Sequence, residues 1–175
     1  IPIYRGNPLA DLMLMGEAAG PVEDEYGKPM VGPTGSYLVR IMQNNGFDLS
    51  RIYISNIVLC RPTGEEGRIR APSDEEIRMC RKWRDLQIKL VEPKVILAVG
   101  RESAFSLIPE LQGKGSIDDI EGEVYLPAYL NGIMVIPIRH PSGVRRRGME
   151  EHYESSMKNI CGRLRTILEK EKLMF

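Results

Sequence analysis

"GEAAGPVEDEYGKPMVG", residues 16–32, decides how the whole chain is read. It follows residues 12–15, an apolar run that predicts a buried strand. Glycine-rich turns at strand ends commonly cradle phosphate on their backbone N–H groups. This turn also carries Glu17, Glu23, Asp24 and Glu25, and four carboxylates repel a phosphate. Two readings stay open. One is a surface turn with solvated acids. The other is a pocket for a neutral polar ligand, with a carboxylate that handles water or developing positive charge. A neutral base attached to a sugar fits the second.

Working outward, three more apolar, β-rich runs occur at residues 52–59, 95–99 and 133–138. Each is short and nearly continuous, as strands covered on both faces are. Helices are predicted over residues 34–45, 73–91, 102–108 and 150–172. The second opens on Pro72 and Ser73 with Glu76 three residues on, a capping box. Its predicted core face is Ile77, Cys80, Trp83, Leu86 and Leu90. The last shows Met157, Ile160, Cys161, Leu164, Ile167 and Leu168 at helical spacing, one apolar stripe. Alternating β and α elements imply a mainly parallel sheet covered by helices, in a single domain spanning residues 1–175. In such sheets ligands sit beyond the carboxyl ends of the strands. That end gathers three loops: residues 16–33, 60–72 and 139–149.

Composition bounds the function classes. The 175 residues are 42% hydrophobic and 27% charged, and no apolar run approaches the ~20 residues a membrane helix needs. No signal-peptide pattern opens the chain, and three cysteines suit a reducing cytoplasm better than a disulfide framework. Lys and Arg balance Asp and Glu, 24 against 24. An anionic partner must therefore be held by a local patch. The chain begins at Ile1 and not Met, and whether a segment ahead of it is missing stays open.

The other two loops carry the remaining chemistry. Asn56 lies inside an otherwise apolar strand, where its amide must find partners. It either bonds a neighbouring loop or reads a ligand edge with adjacent donor and acceptor, as a pyrimidine has. Arg61, Arg68 and Arg70 follow in a Gly- and Pro-punctuated loop suited to phosphate contact. His140 stands directly after a buried strand, fixed by Pro141 and flanked by Ser142. It is either a structural imidazole or one placed for chemistry. Arg145, Arg146 and Arg147 beside it form the densest positive patch, either a solvated face or a grip on phosphates.

Taken in order, "MGEAAGPVEDEYGKPMVGPTG", "YISNIVLCRP", "EEIRMC" and "IPIRHPS" resemble family-4-type uracil-DNA glycosylases. The resemblance runs from about Asn7 to the last helix. It implies a three-layer α/β/α sandwich with a central four-stranded, mainly parallel sheet, acting as a monomer. It implies removal of uracil from DNA by base flipping, leaving an abasic site. By similarity Asn56 reads the uracil edge in a pocket with Gly16, Ala18, Tyr26 and Met30. His140 stabilises the departing base, while Glu23 and Glu17 serve water and the sugar cation. Ser142, Val144 and Arg145–Arg147 follow the segment that enters the duplex and grips phosphates, joined by Arg61, Arg68 and Arg70.

The departures are as specific as the matches. Ala19 replaces a proline, and Met30 stands where the family stacks a Phe on uracil. Tyr26 offers an alternative face. A small wedge is expected, because arginines replace an apolar segment after Gly143. A related group captures uracil covalently through a His in the loop between Cys60 and Cys80. This chain has Arg70 and no His there, so capture is not expected. The family binds a [4Fe–4S] cluster through four cysteines. Cys60 and Cys80 match the last two, the others would lie ahead of Ile1, and Cys161 reads as a core thiol. Three alternatives remain: altered base specificity, a catalytically weak DNA- or base-binding relative in a repair or replication complex, and an unrelated nucleotide-binding α/β domain. The four carboxylates oppose the last.

Overall fold

A computed structural model describes residues 3–112 and 114–172. The four predicted runs form strands β2 (Leu12–Ala18), β3 (Ile52–Val58), β4 (Val95–Val99) and β5 (Met134–Ile138). They are mutually parallel in the order β3-β2-β4-β5. A fifth strand, β1 (Arg5–Gly6), pairs antiparallel with β3 at the edge. Two residues are too few to show a period, which is why the sequence pattern predicts four strands.

Helices α1 (Pro21–Tyr26) and α2 (Pro33–Asn44) follow β2, and α3 (Asp74–Val91) follows β3. After β4 come α4 (Arg101–Leu107) and the single turn α5 (Ile117–Ile120), and after β5 come α6 (Pro141–Arg146) and α7 (Glu150–Lys172). Every residue of β3 and β4 is buried, consistent with cover on both faces. The period of two divides the core. Leu12 and Leu14 pack with Leu38 and Met42 of α2 and with Met157, Ile160, Cys161 and Leu164 of α7. Met13 and Met15 pack on the other face with Ile88 of α3 and Ala104 and Leu107 of α4. Truncating a fully buried position such as Leu164 to Ala costs about 2–5 kcal/mol.

Two expectations are corrected. The buried face of α3 is Arg84, Gln87 and Ile88, flanked by half-buried Ile77 and Cys80. Trp83, Leu86 and Leu90 are 49%, 43% and 72% exposed. Polar pairing turns the helix. Arg84 donates to Ser106 O and Oγ and to Asp85, and Gln87 Oε1 accepts from Tyr53 OH at 2.8 Å. Hydrogen-bonded polar groups can be buried at little cost, although Gln87 Nε2 is buried without a partner, and apolar periodicity foresees neither. The expected loop at 139–149 contains α6, with His140 as N-cap and Pro141 at the first position, where its missing N–H costs nothing.

Candidate active site

A cavity of about 340 Å³ opens where β2, β3 and β5 end, on the side covered by α2 and α6. It collects residues from all three loops, among them Glu17, Glu23, Met30, Asn56, Ile69 and His140.

The glycines of the first loop make room for side chains. A Cβ on Gly16 would collide with Asn56 Oδ1. One on Gly20 would lie 2.6 Å from Glu23 Oε2, and one on Gly32 2.9 Å from Glu23 Oε1. Gly32 N–H also donates to Glu23 Oε1 at 2.8 Å. Glu23, in the first turn of α1, thus folds back over two bare backbone positions and reaches the cavity wall. Asp24 and Glu25 are solvated. The acids of this loop thus divide between solvent and the cavity.

Asn56 is 3% exposed, lines the cavity, and its side chain has no hydrogen-bond partner among the described residues. Asn56 is not among the described residues with sealed, unpaired side-chain atoms, which are Arg61, Gln87 and Arg139, so its amide opens on the cavity, where whatever enters can pair with it. Beside it lies Met30, whose methyl sits 3.1 Å from where a Gly16 Cβ would be. Met30 adopts φ 55°, an unusual backbone for a residue with a side chain. Arg5 Nη1 holds its carbonyl at 3.0 Å, and a Cβ on Gly35 would clash with it. The short edge strand β1 therefore braces the cavity wall.

His140 Nδ1 lies 2.7 Å from Ser142 Oγ and accepts from Ser142 N–H at 3.3 Å. An occupied Nδ1 leaves the proton of the neutral ring on Nε2. Burial, then Arg146, pull the imidazole below its ordinary value, and Glu23 opposes without reversing this. The ring is a neutral donor. Gly100, at φ +89°, would bring a Cβ within 3.1 Å of His140 Cβ, so it packs closely behind the ring. Glu17 also lines the cavity, and burial together with Glu102 raises its carboxyl above the ordinary value.

Other predicted residues are placed differently. Gly16 and Ala18 line the cavity, but Tyr26 is 68% exposed and does not. Val144 is 1% exposed in the core beneath α6, so it forms no wedge. Arg70 grips Glu76 through two bonds of 2.6 and 2.8 Å and donates to Thr63 O and Ala71 O. Arg61 donates to Gly67 O at 3.2 Å. Both arginines brace the 60–72 loop, where Thr63 and Ile69 form a bridge. Arg68, Arg145 and Arg146 face solvent, and Arg147 is exposed with one pair to Asp118 at 3.2 Å. Ser142 lines the cavity rather than standing apart from it. The sequence reading missed Ile69, which reaches the cavity yet is 63% exposed, and Arg5. Neither carries a local signal, because both act across more than twenty residues of chain.

The three cysteines differ in exposure. Cys60 is exposed, Cys80 half-buried and Cys161 buried, its Sγ 3.7 Å from Met42 Sδ and its thiol pushed up to about 11 by burial. Among the described residues no three His, Cys, Asp or Glu side chains are grouped to hold a metal. A cubane takes four thiolates, so the residues described do not fit one.

A sequence profile of the Uracil DNA glycosylase superfamily matches residues 3–160. The chain belongs to that superfamily. It is 34% identical over 141 residues to the Type-4 uracil-DNA glycosylase of Sulfurisphaera tokodaii, covering 79% of this chain and 62% of that one. The Archaeoglobus fulgidus enzyme of the same name is 34% identical over 166 residues, 90% of this chain and 80% of its own. That of Saccharolobus solfataricus is 37% identical over 142 residues, 79% and 63%. The chain thus spans under two thirds of the length of two of these relatives. Membership of the superfamily accords with the α/β architecture and its mostly parallel sheet. No helix among the described residues is long and apolar enough to cross a membrane.

Proposed function

We propose that the chain hydrolyses the N-glycosidic bond of deoxyuridine in DNA and leaves an abasic site. The observation that carries this is the Asn56 amide, unpaired by protein groups among the described residues and open to a cavity that also holds the His140 ring and the Glu23 carboxylate. Uracil N3–H would donate to Asn56 Oδ1 and its O4 accept from Nδ2. Cytosine reverses both groups and would leave the amide unpaired, a strong basis for rejection. The base reaches this depth only when extruded from the stack.

As the C1′–N1 bond breaks, its electron pair passes to the uracil ring and O2 gains negative charge. His140 Nε2–H would donate to that oxygen and stabilise the developing anion by a hydrogen bond, without giving up its proton. The Glu23 carboxylate would favour the cationic sugar and take a proton from the water that adds to C1′. Met30 would lie against the ring face, a softer surface than an aromatic. The exposed arginines Arg68, Arg145, Arg146 and Arg147 would hold flanking phosphates. Cysteines with no disulfide between them accord with a reducing interior.

Single-turnover cleavage of a labelled oligonucleotide containing one deoxyuridine tests the proposal. Alkali-labile product from the wild type is expected, reduced about 10²–10³-fold in His140→Ala and comparably in Asn56→Ala. DNA binding without product from any deaminated base would favour a binding module, the reading to which Met30 at the stacking position lends support.

A further inference from the structure

On the opposite face of the sheet a groove of about 650 Å³ runs between α3 and α4. Four arginines line it: Arg78, Arg81 and Arg84 from α3 and Arg101 at the start of α4. Two acids, Asp74 and Glu102, line it with them. Arg84 is 2% exposed and fully engaged by Ser106 and Asp85, which fixes the floor. The other three are exposed, each with one carboxylate nearby. Arg78 lies 3.8 Å from Glu75 and Arg81 3.6 Å from Asp85, and both are more than half exposed. Arg101 pairs with Glu102 at 3.3 Å and lies over the Phe105 ring at 4.8 Å. Such loose surface pairs exchange readily for a phosphate, and guanidinium forks suit phosphate oxygens.

The groove adjoins the base cavity. Val99, the last residue of β4, lines the cavity, and Arg101, two residues on, lines the groove. Glu17 of the cavity lies close enough to Glu102 of the groove to feel its charge. The arginines beside His140 lie on the α6 side, and these lie on the α3–α4 side. We propose that Arg78, Arg81 and Arg101 form a second phosphate track, which holds the DNA backbone on the far side of the extruded nucleotide. This rests on the glycosylase reading. An acidic protein segment would suit the charge as well, but nothing else ties such a partner to the cavity's edge.

The test uses the full chain with a fluorescent duplex carrying a non-hydrolysable abasic analogue, titrated from 50 to 300 mM salt. Arg78→Ala/Arg81→Ala/Arg101→Ala is compared with the wild type and with the corresponding triple Lys variant. The Ala variant is expected to flatten the slope of log K against log salt by about 2.7, at ~0.9 for each of three lost phosphate contacts. The Lys variant should keep most of the slope. An unchanged slope in a variant that melts like the wild type overturns the track. If wild type binds polyglutamate and the Ala variant loses only that binding, the groove serves an acidic protein and the proposal also fails. The binding assay needs no turnover, so absence of product from the wild type sinks the glycosylase reading separately.

Discussion

The 16–32 turn and the 60–72 hairpin look alike in sequence. Both are rich in glycine and charge, and both sit at the carboxyl end of the sheet. Their polar groups have opposite fates. In the hairpin, Arg70 is consumed by Glu76 and two carbonyls. In the turn, glycines clear space so that Glu23 and Asn56 reach a cavity, and Asn56 meets no partner there. Charge satisfied within a loop shapes it. A polar group buried and left open marks where a ligand belongs.

The sharpest way to break this contrast is Gly16→Ala. Its Cβ would displace Asn56 Oδ1, and misplacement on that scale costs about 10²-fold or more in kcat/KM. In an Asn56→Ala background the same change should cost little more, because the two act through one contact. Additive losses would show that Gly16 matters for the strand and not for the amide. A smaller effect separates the hairpin arginines. Arg68→Ala should lower the salt slope of DNA binding by about 1. Arg70→Ala should raise KM severalfold as the hairpin loosens, with the slope unchanged. If Arg70→Ala changes the slope as well, its bonds to Glu76 yield to phosphate and the contrast between the loops fails.

Much of this architecture is legible in the sequence for simple reasons. Continuous apolar runs give the four long strands, Ser73 with Glu76 gives the start of α3, and the stripe on α7 is clean. Asn56 and His140 stand out because polar residues next to buried strands are rare. What stays hidden depends on partners distant in the chain. Arg5 acts on Met30 across 25 residues, and Ile69 reaches the cavity only because the hairpin folds. Arg84 and Gln87 take the buried face of α3 through hydrogen bonds to Ser106 and Tyr53 that no periodicity encodes. Val144 resembles a wedge by its place after the His-Pro-Ser segment, but the six-residue helix α6 turns it into the core.

The smallest effect concerns the proton on His140, where the exposed α6 arginines meet the buried cavity. The folded ring sits below the ordinary imidazole value of 6.5, through burial first and Arg146 second. As pH falls the unfolded chain therefore takes up this proton before the folded one does. The stability tied to the neutral ring is fully present above 6.5 and is lost as pH falls from there through the depressed folded value. Protonation would also place a hydrogen on Nδ1 and remove the acceptor that Ser142 N–H now uses. The acid limb of kcat/KM should accordingly lie below 6.5. Arg146→Ala removes a nearby cation, so the folded value should rise toward 6.5 and the limb move to higher pH. Titration of the ring resonances by NMR checks this in the free protein, with the His140 signal assigned by its absence in His140→Gln. A limb and resonance that stay in place would show that burial alone sets the ring's state. Arg146 would then act on DNA and not on the His140 imidazole.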